Sequence, residues 1–294
     1  MIDEFDDLRR NGLASNYRRA LNLAETSCQA PTIVVRSATG RPCAIARLTA
    51  NDWDSQVLGA SCGNVDDIFV DAGGDNLPGT CGTLAIEIAE AADRRKMDLV
   101  SCRIEASNAI LARAFEEIGF RVVDELAIYL RPLEPTAPAQ PQPLPEDLDD
   151  CLVAAAAGME YGRIHQDPRI PKDLARQFYL AAMRGHIESG SFVTTLGSGG
   201  RTVGVAIGVE DSGASAAAGR RVGYLWLIAL RPEARGLGLG RKLLQKFFVE
   251  FASRIDLLEI GAQVKNIPAN RLYLGQDCVL ACHLLALHRW RDRQ

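Results

Sequence analysis

The residues most suited to chemistry are Arg235-Gly236-Leu237-Gly238-Leu239-Gly240, which join an apolar run to an amphipathic one. Three alternate glycines let a ligand approach the backbone with no Cβ in the way. A turn that opens a helix also offers N–H groups without an intrahelical partner, at the positive end of the helix dipole. That combination suits phosphate, and Arg235 adds a permanent cation. The pattern is not a P-loop, because no Gly-Lys-Ser/Thr follows the spacer. It also lacks the spacing of a dinucleotide fingerprint and the acidic residue that should stand about 20 residues on.

The elements that must position this turn are legible around it. Val222–Leu230 (VGYLWLIAL) predicts a dense apolar strand, and Arg241–Ser253 an amphipathic helix with Leu244, Phe247, Phe248 and Phe251 inward. Ile255–Val264 reads as the next strand, Pro268–Gly275 as a short helix, and Val279–Trp290 closes with apolar residues. Upstream, Asp147–Met159 and Pro171–His186 read as helices. Ser191–Leu196 and Arg201–Glu210 read as a hairpin across Gly-Ser-Gly-Gly, and Asp211–Arg220 as a loop. Strands joined by helices in mixed order give an α/β class.

Six prolines between Pro132 and Pro145 favour an extended linker. The expected organisation is therefore a domain over 1–131, a linker over 132–145 and a domain over 146–294. The first half echoes the second in spacing. Gly240 precedes Asn266 by 26 residues and Asn266 precedes Tyr273 by seven; Gly82 precedes Asn108 by 26 and Asn108 precedes Phe115 by seven. Leu77–Gly82 reads there as the turn, Leu84–Arg94 as a helix, Leu99–Glu105 as a strand, then a second helix and a strand to Leu130.

Composition excludes several classes. Net charge is −4, which leaves no basic field for a nucleic acid. No apolar run reaches the length of a membrane span. The first residues, Met1-Ile2-Asp3-Glu4-Phe5-Asp6-Asp7, are acidic and unlike a signal peptide, so a cytoplasmic location is expected. The eight cysteines are scattered; only Cys278 and Cys282, beside His283, are close. That one-sided cluster lacks a second ligand pair, so no metal is expected and the thiols read as reduced.

Arg235-x-x-Gly238-x-Gly240 matches R-x-x-G-x-G, and ALRPEARGLGLGRKLL resembles the strand–loop–helix signature of the GCN5-related N-acetyltransferases (GNAT). The resemblance implies a GNAT fold and acetyl-CoA, or another acyl-CoA, as co-substrate. It implies that Arg235, Gly236, Leu237, Gly238, Leu239 and Gly240 hold the pyrophosphate. Main-chain groups of Leu227, Ile228, Ala229 and Leu230, on a strand that splays from its neighbour, would hold the pantetheine. Asn266, which the resemblance places among the CoA-binding residues, and then Tyr273 follow as in the family, which implies that Tyr273 is the general acid for the leaving thiolate. A phenol with pKa about 10 is loaded to donate at neutral pH. In the first half Leu77, Thr80 and Phe115 stand where Arg235, Gly238 and Tyr273 would be. This predicts a tandem arrangement, with a degenerate GNAT-like domain before a complete one.

Three further segments resemble the nucleotide amino-sugar branch, dTDP-fucosamine N-acetyltransferase and its relatives. They are Trp53–Gly59, Gly119–Asp124 and Tyr161–Pro171. Leu58, where an aromatic is usual, and Gln-Asp-Cys after Gly275 depart from that branch. The resemblance implies a small-molecule acceptor, the amine of a nucleotide-linked deoxyamino sugar. Asp124 would be the general base, with His165 and Asp167 behind it, and Tyr161, Arg163, His165, Asp167 and Arg169 would hold the acceptor. Another amine (antibiotic, peptide or protein) and a non-catalytic CoA-binding module are the competing readings. A homodimer is left open.

Overall fold

A computed structural model of the chain describes residues 32–71, 76–137 and 143–291. The acidic start, Cys28 and the middle of the proline tract lie outside the described residues. Two compact units divide the chain: Met1–Leu126 with Cys282–Gln294, and Ala127–Ala281.

The first unit contains β1 (Thr32–Arg36), β2 (Pro42–Ala50), α1 (Asp52–Leu58), β3 (Cys62–Val70), α2 (Leu77–Arg94), β4 (Leu99–Glu105) and α3 (Ala109–Glu117). It also takes the start of β5 (Arg121–Pro132) and most of β10 (Val279–Trp290). β1, β2 and β3 pair antiparallel in turn. β3 then pairs parallel with β4, and β4 pairs antiparallel with β10 from Leu284 to Trp290. Leu84 and Ile88 of α2 and Phe115 of α3 pack with Leu48 and Val100 in one core. This removes large apolar side chains from water, the main stabilising effect in such a unit.

The second unit contains the rest of β5, α4 (Leu148–Ala157), α5 (Arg163–Gln166), α6 (Lys172–Glu188), β6 (Phe192–Ser198), β7 (Arg201–Glu210), α7 (Ser212–Ala218) and β8 (Val222–Leu230). After a 3-10 turn at Pro232–Ala234 come α8 (Leu239–Phe251), β9 (Leu257–Gln263) and α9 (Ile267–Leu274). Its sheet runs β5-β9-β8-β7-β6. β6–β7 and β7–β8 are antiparallel and β8–β9 is parallel. Phe247 and Phe251 of α8 come so close to β7 that a Cβ on Gly208 would stand 2.8 Å from the Phe247 ring. A glycine is required there for the helix to lie flat on the sheet.

Three expectations change. The loop over 211–220 holds α7, whose N-terminus Asp211 caps by accepting from the Ala214 N–H at 2.8 Å. Ala-rich sequence behind an Asp cap is helix-forming despite its Gly and Ser. The helix expected from Leu84 begins at Leu77. The compact units also depart from halves ending at 131 and starting at 146. β5 crosses from one unit to the other at Leu126/Ala127, and residues from Cys282 onward belong with the first unit because β10 finds its partner in β4.

Candidate active site

Strand β8 runs beside β9 only from Val222↔Leu257 to Leu225↔Ile260. Among the described residues the ladder with β9 stops at Leu225, although β8 continues to Leu230. The break coincides with a bulge: Ile207 pairs with Leu227 and Gly208 with Leu225, so Trp226 is the extra residue. A bulge interrupts side-chain alternation. Accordingly Trp226 and Leu227 both pack on the Val205/Ile207 cluster, whereas Leu225 and Ile228 belong to the cluster around Phe247. Leu227, Ile228, Ala229 and Leu230 thus follow the bulge, past the end of the ladder with β9.

The turn follows directly. Gly236 and Gly238 have φ of +76° and +74°, the left-handed region that glycine enters without strain. Gly238 is the N-cap of α8 and brings no side chain to cap it. The first N–H groups of α8 therefore have no intrahelical partner. Gly236, Leu237 and Gly238 are exposed, and no acidic side chain stands in the turn. Arg235 is exposed, and its guanidinium donates to the Gly158 carbonyl at 3.1 Å, which holds it beside the end of α4.

Tyr273, on α9, is 4% exposed. Its ring lies against Tyr129 at 5.8 Å, tilted by 55°. Burial pushes its phenol well above the ordinary range, with the Cys278 thiol and Tyr129 adding to the shift. The hydroxyl is thus protonated at any physiological pH. Burial likewise lifts the Cys278 thiol, to about 11, with Arg131 opposing.

Residues 159–276 match the profile of the Acetyltransferase (GNAT) family. That segment is similar to a GNAT acetyltransferase domain. The protein is accordingly an enzyme of the N-acetyltransferase class, and that family uses acetyl-CoA. No curated protein sequence matches the chain. Solved GNAT structures share its fold. One, a GCN5-related N-acetyltransferase from Sphaerobacter thermophilus, is 18% identical with a TM-score of 0.56 over 88% of this chain and 80% of that one. A tandem GNAT protein from the clavulanic acid biosynthesis pathway, solved without AcCoA, is 16% identical with a TM-score of 0.53 over 92% and 86%. A GCN5-related N-acetyltransferase from Kribbella flavida is 12% identical with a TM-score of 0.54 over 96% of each chain.

Within the matched segment, Asn266 is the N-cap of α9 and accepts from the Ala269 N–H at 3.2 Å. Its side-chain oxygen is thus engaged in holding the helix that carries Tyr273. The segment with Tyr161, Arg163, His165, Asp167 and Arg169 is built around α5 and α6. The His165 ring stacks on Tyr179 at 4.9 Å and 7°. The Arg163 guanidinium lies 5.6 Å over the Phe178 ring. Asp167 is 3% exposed and takes the Arg169 N–H at 2.8 Å. Burial lowers the pKa of His165. Gln166 meets Lys265 at 3.4 Å, so this segment adjoins the loop that ends at Asn266. Asp124 lies in the first unit's part of β5, is 4% exposed, and takes the Glu125 N–H at 3.0 Å. Among the described residues no group of three or more His, Cys, Asp or Glu is arranged to hold a metal. No helix among them is long and apolar enough to cross a membrane.

Sequence reasoning missed Trp226 and Asn270. The bulge hides in a strand that is apolar on both faces, so no period marks it. Asn270 sits one turn before Tyr273, inside the Asn266–Tyr273 spacing, but nothing in that spacing singles it out. Its amide donates to the Gln263 carbonyl at 2.9 Å and the Asn266 carbonyl at 2.8 Å and accepts from the Tyr129 hydroxyl at 2.7 Å.

Proposed function

We propose that the enzyme transfers an acyl group from acyl-CoA to a primary amine, with Arg235–Gly240 on the pyrophosphate and Tyr273 as general acid. The observation that carries this is an uncapped, left-handed glycine turn at the N-terminus of α8, directly after a strand that leaves its neighbour. These residues suit acyl-CoA: backbone donors and Arg235 for two phosphates, and a strand edge for the pantetheine amides. The co-substrate, when bound, supplies an activated thioester carbonyl. The N–H groups of Leu227–Leu230 orient and polarise that carbonyl. The amine nitrogen bonds to the carbonyl carbon and sheds a proton to solvent, the carbon–sulfur bond breaks, and Tyr273 gives its phenolic proton to the departing thiolate and regains one from solvent. Holding both reactants at attack distance lowers the barrier by roughly 7–11 kcal/mol.

The amine must first lose a proton. Asp124 is the proposed base, with His165 and Asp167 as the alternatives; Asp124→Asn then lowers kcat with little change in acyl-CoA affinity. The proposed acceptor is the amine of a nucleotide-linked deoxyamino sugar, held by Tyr161, Arg163 and Arg169, whose guanidinium forks match a diphosphate. The support is the sequence resemblance of three segments, together with the clustering of Tyr161–Arg169 beside the Asn266 loop. The first unit is proposed to be a degenerate GNAT copy without CoA; a tandem GNAT protein among the structural neighbours suits this reading.

Thermal-shift screening with acetyl-CoA, dTDP and UDP tests the assignment. Stabilisation by both donor and nucleotide is expected. A response to acetyl-CoA alone would move the acceptor to another amine or leave a CoA-binding module.

A further inference from the structure

We propose that β5 clamps the helix that bears Tyr273, with Tyr129 and Asn270 as positioning residues for that tyrosine. The inference rests on the general-acid reading above.

α9 has only eight residues, too few to hold an orientation by itself. Something must fix its pose, because an acid has to lie within hydrogen-bond reach of the atom it protonates. Asn270 performs the first part. Its amide nitrogen is spent on carbonyls of Gln263 and Asn266, tying the first turn of α9 to the end of β9. Those acceptors set the amide orientation, so Oδ1 faces the Tyr129 hydroxyl, which donates to it at 2.7 Å. Tyr129 performs the second part. The same side chain that is pinned through its hydroxyl to Asn270 lays its ring against Tyr273 at 5.8 Å.

Arg131 adds a third contact. It lies two residues on from Tyr129 and therefore on the same face of β5. Its guanidinium sits 4.7 Å over the Phe248 ring, donates to the Gln276 carbonyl, and stands 3.7 Å from the Asp277 carboxylate. β5 thus holds α9 at Asn270 and the segment after Tyr273 at Gln276. The hydroxyl of Tyr129 is needed for this and its ring alone is not, since only the hydroxyl links ring to amide.

The test uses the full chain and follows CoA release from acetyl-CoA, with water or an added amine as acceptor. Tyr129→Phe is expected to lower kcat about tenfold with KM for acetyl-CoA within twofold, since small misplacements of a catalytic group are costly. Combined with Tyr273→Phe it should lower the rate no further than Tyr273→Phe alone, because a positioning residue acts only through its partner. Losses that multiply in the double variant, or a Tyr129→Phe rate within twofold of wild type, overturn the clamp. Asn270→Ala gives the same reading should Tyr129→Phe not fold. An unchanged Tyr273→Phe rate would instead remove the acid assignment on which the clamp rests, so the two failures are distinct.

Discussion

The two units contain matching strands and helices but begin the helix after the first parallel strand differently. In both, a parallel pair is four residues long: Cys62–Val65 with Leu99–Cys102, and Val222–Leu225 with Leu257–Ile260. In both, the strand then breaks register with its antiparallel neighbour, between Ile45 and Arg47 on one side and Ile207 and Gly208 on the other. Asn108 and Asn266 cap α3 and α9 in the same way, each accepting from the third residue on at 3.2 Å. The difference is the preceding helix. α8 starts at Leu239 after left-handed Gly238 and has no side-chain cap. By the 26-residue spacing Leu239 corresponds to Cys81, yet α2 starts at Leu77, four residues earlier, with Pro78 in its first turn. Asn76 accepts the Gly79 N–H at 3.1 Å. One more turn of helix, a proline with no N–H and a built-in cap consume the donors that an anion would need. The proposed anion seat at α8 and the closed helix end at α2 therefore differ by a few residues before the helix.

Substitutions at the two helix starts probe that contrast, and the largest effect is expected at Gly238. Gly238→Val puts a β-branched side chain at φ +74°, where the left-handed region costs about 1–2 kcal/mol, and a side chain over the N–H groups. Acetyl-CoA affinity should fall about 100-fold or more, a loss of about 2.7 kcal/mol or more of binding energy. Equal affinity in calorimetry would place the ligand elsewhere. Arg235→Gln should weaken acetyl-CoA by about tenfold, in line with about 1.5–3 kcal/mol for a charged hydrogen bond that is partly solvated here. In the first unit, Asn76→Ala should cost about 1 kcal/mol of stability as a lost cap and leave acetyl-CoA binding unchanged.

The smallest effect concerns pH. Burial lowers the pKa of both His165 and His186 below the ordinary 6.5. The unfolded chain then binds more protons than the folded one, so stability is complete above pH 6.5 and declines as pH falls through it. Melting temperature should drop between pH 6.5 and 5, and less so in His186→Phe; a flat profile would mean these rings titrate normally.

The turn was legible because its glycines and arginine are local signals. The Asn266–Tyr273 helix was legible through its capping residue and spacing. The start of α2 was not, since Pro78 and Gly79 read as a turn but are accepted in a first helical turn. The crossing of β5 and β10 between units was also hidden. The continuous apolar run Leu284–Leu287 is compatible with a buried strand, but which strand accepts it is a tertiary choice. Asn270 and Tyr129 lie 141 residues apart, and nothing local links them.

Calorimetric titration of the purified chain with acetyl-CoA tests the contrast most directly. The uncapped turn of α8 and the self-capped start of α2 predict saturable binding at one molecule per chain, abolished by Gly238→Val and untouched by Asn76→Ala. Two sites per chain, or none, would contradict it.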